Sequence, residues 1–203
     1  MTDLQPKETI ISLIIRNKQE LEDKELIEKC RNGSRAAQWE LYRRYSPLLF
    51  GICLRYSASR ESAEDILQES FLKIYASIGD YEGTGSFEGW LRRITVNTAI
   101  TCYHQNLKHM HHEDVDDYAQ TIVSQEPNFD SQEFTHEELL GVVNSLPDGY
   151  RMVFNMFAVE GFKHREIAEM LGIDINTSKT QFMRARLIVM KRLNELRKIH
   201  GHQ

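Results

Sequence analysis

Apolar residues recur at three- and four-residue steps along most of this chain, and this spacing constrains the fold more than any other feature. The spacing is that of amphipathic helices, each with one buried face. Between positions 62 and 103 two such stripes flank a loop with three glycines: Ala63, Ile66, Leu67, Phe71, Ile74, Tyr75 and Ile78, then Phe87, Trp90, Leu91, Ile94 and Ile100. Only 4 prolines and 11 glycines in 203 residues leave few helix breakers. We therefore expect an all-α fold.

Composition divides the chain into four parts. We expect an N-terminal extension (1–22), a first helical domain (23–108), an acidic linker (109–132) and a second helical domain (133–200). From Glu113 to Glu138 there are nine acidic residues and no Lys or Arg, whereas positions 162–198 hold nine basic and four acidic residues. The net charge of −5 argues against a uniformly basic nucleic-acid binder. The segregation instead predicts that a polyanion binds near the C-terminus.

Several residues predict where helices begin and end. Asp23 is a candidate N-cap and Gly33 a candidate C′ residue of a short first helix, and Ser34 is a candidate cap of a longer second one. Pro47 predicts a kink or a restart within that second helix. The apolar run from Ile10 to Ile15 is too short to span a membrane.

The region from 162 to 193 has the spacing of a helix-turn-helix. Ile167, Ala168 and Leu171 mark the inner face of its first helix, Gly172 fits a left-handed C′ position, and Asp174 can cap the second helix. The second helix offers Lys179, Thr180, Gln181, Met183, Arg184 and Arg186. Arg and Gln make bidentate contacts to base edges and Lys suits phosphate, so this helix is predicted to enter the major groove.

Two features of the central stretch predict further binding. Asp65, Gln68 and Glu69 lie on the solvent side of the first stripe, which indicates either a protein-docking face or an ordinary solvated face. Tyr81 lies in the glycine loop, ahead of Trp90, Arg92 and Arg93. Aromatic and Arg side chains together are typical of sites for unstacked bases, although Tyr81 alone could be an ordinary loop residue.

These motifs together resemble the sigma-70 type RNA polymerase sigma factors of the extracytoplasmic-function (ECF) group. The segment from Ala63 to Glu69 followed by Phe71 is similar to the polymerase-binding helix of that family. The segments Gly85–Phe87, Trp90–Leu91 and Arg93–Asn97 are similar to its promoter-melting segment. Leu146–Pro147, Arg165–Ala168 and Arg184–Arg186 are similar to its promoter-recognition domain. Many regulators share the last motif alone, but both sets in this order are specific to the family.

The resemblance implies a role for each matched residue. Asp65, Gln68 and Glu69 would contact the clamp helices of the large subunit of core RNA polymerase. Residues that would contact the melted minus-ten element are Tyr81, Ser86, Arg92, Arg93 and Asn97. Residues that would contact the minus-thirty-five element are Lys179, Thr180, Gln181, Met183, Arg184 and Arg186. The acidic linker would thread the RNA-exit path of the polymerase, and an anti-sigma protein, often membrane-bound in this family, would be a further partner.

The chain departs from the family pattern at three positions. Lys163 stands where a Ser or Thr N-cap is common, which predicts the loss of a cap. Ser178 stands where Val is usual, which predicts looser packing of the DNA-contacting helix. Met183 carries less base information than Arg or Gln. These departures leave the promoter sequence open.

The remaining chemistry-bearing residues are three cysteines and a histidine cluster. Cys30, Cys53 and Cys102 are odd in number and widely spaced, which indicates reduced thiols and a cytoplasmic protein. Cys102, His104, His109, His111 and His112 lack the spacing of a common zinc site, so we expect the solvated end of a helix and no metal. No nucleophile–base pair or phosphate-binding loop is found, and we expect no catalytic residues, no cofactor and no small-molecule substrate.

Two other classes of function remain open from the residues alone. A repressor or activator could use only the C-terminal helix-turn-helix, and such proteins usually dimerise to match a two-fold operator. A metalloenzyme could use the histidine cluster. The first would form a dimer that ignores polymerase, and the second would hold stoichiometric zinc.

Overall fold

The computed structural model describes residues 22–109 and 134–200, and these residues form eight α-helices. Nearly all of the predicted N-terminal extension (1–22) and of the predicted acidic linker (109–132) lies outside these ranges. Within them the predicted all-α fold class is confirmed. The first four helices are α1 (22–31), α2 (Arg35–Tyr56), α3 (Arg60–Ser77) and α4 (Phe87–His109). The last four are α5 (His136–Asn144), α6 (Asp148–Phe154), α7 (His164–Leu171) and α8 (Ile175–His200).

Helices α1 to α4 pack around one apolar core. Helix α2 contacts both α3 and α4, and the apolar stripes predicted from the sequence face inward. Leu41, Leu49, Ile74 and Leu91 are completely buried there. The predicted cap of α2 is confirmed, because the Ser34 hydroxyl accepts a hydrogen bond from the amide of Ala37.

Two boundary predictions for this half are corrected by the structure. Asp23 lies inside α1, since the described part of that helix already includes residue 22. The Asp23 carboxylate does not cap a helix but accepts hydrogen bonds from Tyr45 (2.7 Å) and Arg44 (3.2 Å), which tie α1 to α2. Helix α2 is continuous through Pro47, so the predicted restart is wrong, whereas the alternative of a kink stays a prediction. Packing on α3 and α4 outweighs the one backbone hydrogen bond that a proline removes.

The second half contains the predicted helix-turn-helix. A capping box of Thr135 and Glu138 starts α5. A π-helix, Asn155–Val159, continues α6. Gly172 has a φ of 66° after α7, and the Asp174 carboxylate accepts a hydrogen bond from the amide of Asn176 at the start of α8, so both predicted boundaries are confirmed.

The structure also explains two departures from the family pattern. The backbone amide of Lys163 donates to the Glu166 carboxylate at 2.7 Å, which satisfies one of the free amides at the start of α7. Ser178 is completely buried and its hydroxyl lies 3.0 Å from Nδ1 of His164. The expectation of loose packing at Ser178 is therefore wrong, because a hydrogen bond to α7 replaces the apolar contact.

The two halves share one core in this structure. Helices α5 and α6 pack against α2, and α7 packs against α4. Apolar residues of the second half that join the core of the first are Met152, Val153, Met156, Ile167 and Leu171. Nε2 of His104 in α4 lies 3.0 Å from the carbonyl oxygen of Met170 in α7. The predicted domains therefore contact each other directly as well as through the linker.

Candidate functional site

The outer face of α3 carries the three residues predicted to contact a protein. Asp65, Gln68 and Glu69 are all exposed, while Ile66 and Leu67 point into the core. Glu69 pairs with Lys73 one turn later at 3.4 Å, and both side chains remain about half exposed. The face is therefore acidic and accessible, and the Glu69–Lys73 ion pair on it is itself open to solvent.

Large apolar side chains lie exposed on α3 and on the neighbouring α2, which the sequence did not reveal. Leu72 follows Gln68 and Glu69 at helical spacing and is 64% exposed. Trp39 of α2 is 65% exposed and stacks on Tyr42, whose ring in turn packs on Phe71 of α3. Such exposure is common in protein–protein interfaces. The helical periodicity assigns Leu72 neither to the buried side nor to the charged side of α3, so the sequence did not predict that Leu72 is exposed.

The glycine loop before α4 is held by its aromatic residue. Tyr81 is only 9% exposed, and its ring packs against Phe87 and Trp90 at centroid distances of 5.2 and 5.3 Å. Its hydroxyl donates to the carbonyl of Gly85 at 2.9 Å. The ring that was predicted to face a base thus forms the floor of the loop, and a direct contact to a base stays a prediction.

Arg31 of α1 is a positioning residue that sequence reasoning missed. Its guanidinium donates to the backbone carbonyls of Tyr81 and Ile78. These bonds fix the start of the glycine loop to α1. Because the contact joins positions 50 residues apart, no local pattern could have indicated it.

The remaining minus-ten candidates lie at the start and along the outer side of α4. The Ser86 hydroxyl accepts a hydrogen bond from the amide of Gly89 at 3.1 Å, so it serves as the cap of α4. Arg93 and Asn97 are both exposed and one helical turn apart. Arg92 is paired with Glu88 at 2.9 Å. The structure thus brings Arg93 and Asn97 to one open face and leaves Arg92 partly neutralised.

Helix α8 presents the minus-thirty-five candidates in two groups. Lys179, Thr180 and Met183 are exposed on its outer side. Arg184 is half-buried and donates to the hydroxyl of Tyr150 at 3.2 Å, and Arg186 is also half-buried. The amide of Gln181 is turned toward α6, since a Cβ placed on Gly149 would lie 3.5 Å from its Nε2. The outer group can meet DNA without rearrangement.

His164 joins the two helices of the helix-turn-helix. Its ring stacks on Phe157 at 4.3 Å and lies 5.9 Å from Phe182 of α8, and its Nδ1 bonds to Ser178. Burial and then the charge of Lys179 hold the pKa of His164 below its ordinary value. The His164 ring therefore links α7 to α8 by stacking and by a hydrogen bond. Sequence reasoning missed this residue, because its partner lies 14 positions away.

The predicted cysteine and histidine cluster is only partly described. His104 bonds to Met170 as noted, and Cys102 is half-buried with a pKa raised by burial. The side chain of His109, and both His111 and His112, lie outside the described residues. Across 22–109 and 134–200, no group of three His, Cys, Asp or Glu side chains is arranged to hold a metal. The other two cysteines, Cys30 and Cys53, are buried.

Comparison with known proteins assigns both halves to one family. The sigma-70 region 2 family matches residues 41–106. The sigma-70 region 4 family matches residues 136–189. The chain belongs to the sigma-70 family, in its ECF group. Like other ECF sigma factors, it directs promoter recognition and transcription initiation.

Two curated relatives agree with this assignment over most of their length. The ECF RNA polymerase sigma-E factor of Haemophilus influenzae is 28% identical over 187 residues, which cover 88% of this chain and 98% of that protein. The RNA polymerase sigma-H factor of Pseudomonas aeruginosa is 24% identical, covering 86% of this chain and 95% of that protein. The sigma factor RpoE of Bartonella quintana, solved with the anti-sigma factor NepR, is 20% identical over 76% of this chain and 95% of that one, with a TM-score of 0.48.

The described helices contain no segment long and apolar enough to cross a membrane.

Proposed function

We propose that this sigma factor docks on core RNA polymerase through the outer face of α3. The observation that carries the proposal is the exposed acidic face of Asp65, Gln68 and Glu69 on a helix whose opposite side is fully packed. These residues match the polymerase-binding positions of the family, where the partner is the pair of clamp helices of the large subunit. Carboxylates on a rigid helix favour association with basic partners and raise its rate.

The loop before α4 is proposed to hold a base of the melted minus-ten element. Arg93 and Asn97 offer donors on one open face, beside a loop that Tyr81, Phe87 and Arg31 fix in place. A base leaving the duplex loses a few kcal/mol of stacking, and a preformed pocket offsets that loss because it needs no reordering. In this assignment Tyr81 forms the floor of the pocket, and Arg92 and Ser86 contact the sugar-phosphate backbone of the DNA beside the base.

Helix α8 is proposed to contact the minus-thirty-five element in the major groove. Lys179, Thr180 and Met183 lie on the outer side of its first turns, where a recognition helix meets base edges. Gln181, Arg184 and Arg186 flank them and would contact phosphates or bases after modest side-chain rotation. Lys and Arg contacts to phosphate would make this binding fall with salt.

Membership in the family supports the proposal of two further interactions. The acidic segment 109–132 is proposed to occupy the RNA-exit path of the polymerase, where its negative charge would imitate nucleic acid. An anti-sigma protein is proposed to hold the factor inactive. The solved sigma factor RpoE of Bartonella quintana is bound to such a partner, the anti-sigma factor NepR. The chain is proposed to act in the cytoplasm, without a cofactor or catalysis of its own.

Run-off transcription with core polymerase from the source organism tests the proposal. The wild-type chain should give a promoter-dependent product, and the double reversal Asp65→Lys and Glu69→Lys should abolish it by preventing association with core. The matched control reverses two other exposed charges, Glu25→Lys and Glu195→Lys, and should leave the product unchanged. A folded Asp65→Lys, Glu69→Lys protein that still co-elutes with core polymerase would refute the docking face.

A further inference from the structure

Helix α3 ends in a short turn that leads into the glycine loop. A 3₁₀ turn, Ile78–Asp80, follows α3, and Tyr81 comes directly after it. Backbone carbonyls at the C-terminal end of a helix have no partner within the helix and carry partial negative charge. Residues 74–77, the last turn of α3 and fully described by the structure, contain no basic side chain. The cation that bonds to these carbonyls comes from another helix.

Arg31, at the end of α1, supplies this cation. Its Nε donates to the carbonyl of Ile78 at 3.4 Å, and its Nη2 donates to the carbonyl of Tyr81. Because one carbonyl begins the 3₁₀ turn and the other follows it, the guanidinium spans the turn. Its Nη1 pairs with Glu28 in the preceding turn of α1. A planar guanidinium keeps its donors in a fixed arrangement, so both carbonyls are held in one orientation.

Helix α1 is itself fixed against the elements that carry the loop. The carboxylate of the buried Asp23 accepts a hydrogen bond from Tyr45 at 2.7 Å. The Tyr45 ring lies edge-on to Phe87, the first residue of α4, at a centroid distance of 5.6 Å. Phe87 in turn packs on Tyr81. The start of the glycine loop is therefore connected to α1 through Arg31, and its end through Tyr45 and Phe87.

The bonds of Arg31 affect the loop more than the core. They end on backbone oxygens beside the loop and not on core side chains, and the Arg31 side chain is 32% exposed. Helix α1 also lies outside the region 2 match, which begins at residue 41. A loop that is fixed before binding loses less conformational freedom when it takes up a base. Fixing the loop from α1 should therefore favour capture of a base.

We propose that Arg31 is a positioning residue for promoter melting, which caps the turn after α3 and so sets the direction of the glycine loop. This inference rests on the proposed function, because a base held by the loop supplies the reason for fixing it. Arg31 acts through the carbonyls of Ile78 and Tyr81 and not by contact with the base. Its loss should weaken capture of the melted minus-ten strand and should leave docking on core polymerase and minus-thirty-five binding unchanged.

Binding of two DNA probes to the complete holoenzyme tests this role. One probe is the single-stranded non-template minus-ten segment of a promoter found by run-off transcription, and the other is its minus-thirty-five duplex. Arg31→Gln should lower the affinity for the single strand about tenfold, because two hydrogen bonds from a charged group are lost. Its affinity for the duplex should stay within about twofold of wild type. Arg31→Lys keeps a cation without the planar fork and should lower single-strand affinity only about threefold.

A control on the same helix separates positioning from a general loss of stability. Lys29→Gln removes a cation of α1 whose partner is Glu25, one turn earlier, and should leave both affinities unchanged. Unchanged single-strand affinity of the Arg31→Gln holoenzyme would overturn the proposal. Equal losses of single-strand binding, duplex binding and association with core would also overturn it, because they would give Arg31 a purely structural role.

Fluorescence of Trp90 provides a readout that needs neither polymerase nor DNA. The Trp90 ring packs on Tyr81 at 5.3 Å, and Trp39→Phe leaves Trp90 as the single tryptophan of the chain. In that background Arg31→Gln should shift the emission to longer wavelength, because a loosened loop admits water to the ring, whereas Lys29→Gln should not. An unshifted Arg31→Gln spectrum would overturn the hold of Arg31 on the loop.

Failure of the proposed function has a different signature. A wild-type holoenzyme that formed with core polymerase but bound no minus-ten strand would refute the base site itself. The Trp90 spectra of the free chain would still decide whether Arg31 holds the loop.

Discussion

At the scale of single residues, hydrogen bonds between distant positions fasten neighbouring helices to each other. His164 and Ser178 are the clearest pair, because a buried hydroxyl would be costly without its imidazole partner. The stacked Phe157 ring keeps that imidazole partly desolvated. The packing of α8 on α7 therefore includes this histidine–serine pair.

Ser178→Val should destabilise the protein by about 1 kcal/mol, since it leaves Nδ1 of His164 without its partner. The same change made in a His164→Phe background should cost less, so a double-mutant cycle in chemical denaturation should show coupling. Equal costs in both backgrounds would show that the hydrogen bond contributes nothing.

The stability of wild type should also depend on pH through His164. Its pKa is lowered in the folded chain from 6.5, so the unfolded chain binds the proton more readily. The contribution is complete above about pH 6.5 and is lost as the pH falls toward the folded-state pKa. The His164→Phe variant should lose less unfolding free energy than wild type as the pH is lowered from about 6.5.

At the scale of elements, the loop before α4 is shaped by backbone conformation as much as by its aromatic floor. Gly83 and Gly85 have φ angles of 78° and 87°, in the left-handed region that side chains disfavour. A Cβ on Gly85 would meet no atom within 4 Å, so a side chain would fit there. Glycine is favoured at this position only because of the left-handed backbone conformation.

Gly85→Ala should therefore cost about 1–2 kcal/mol and weaken promoter melting, because the loop must leave its conformation. Gly51 provides a matched control: it lies inside α2, and a Cβ there also meets nothing within 4 Å. Gly51→Ala should stabilise the protein by about 0.5–1 kcal/mol. Thermal denaturation and permanganate footprinting of melted DNA would measure both. The two substitutions should change the unfolding free energy in opposite directions, and a change in the same direction would contradict the role given to the Gly85 conformation.

At the scale of the whole molecule, the structure reveals exposed apolar side chains that the helical periodicity of the sequence does not predict. Leu72 is largely exposed and continues the acidic face of α3. Burial in a complex would remove its side chain from water, whereas folding of the free chain does not. Its contribution should therefore appear in association and not in stability.

Leu72→Ala should leave the unfolding free energy within about 0.5 kcal/mol of wild type. Its affinity for core polymerase should fall about five- to tenfold. Truncating an apolar side chain that anchors an interface commonly reduces the binding free energy by more than about 1 kcal/mol. Ile199→Ala changes another exposed apolar residue, 59% exposed on α8, and should leave both quantities unchanged. Unchanged affinity for the Leu72→Ala protein would exclude Leu72 from the interface.

Features set by neighbouring residues could be predicted from the sequence. The buried stripe of α3, the left-handed Gly172 and the Asp174 cap depend on spacing and side-chain type within one or two turns, and all are found. The bond of Arg31 to the glycine loop joins positions 50 residues apart, and the ion pair of Arg55 in α2 with Glu160 joins positions 105 residues apart, so periodicity could not indicate either. Asp23 was misassigned for the same reason, because its partners Tyr45 and Arg44 lie on another helix.

The state of the cysteines has a practical consequence for anyone working with the protein at the bench. Cys30 and Cys53 are buried, and burial raises the pKa of Cys53 to about 12. A thiol reacts with maleimides or iodoacetamides as its thiolate, which such a site almost never forms near neutral pH. Fluorophores or spin probes can therefore be attached to an engineered surface cysteine while these two native sulfurs stay unmodified, which spares the core from cysteine replacement.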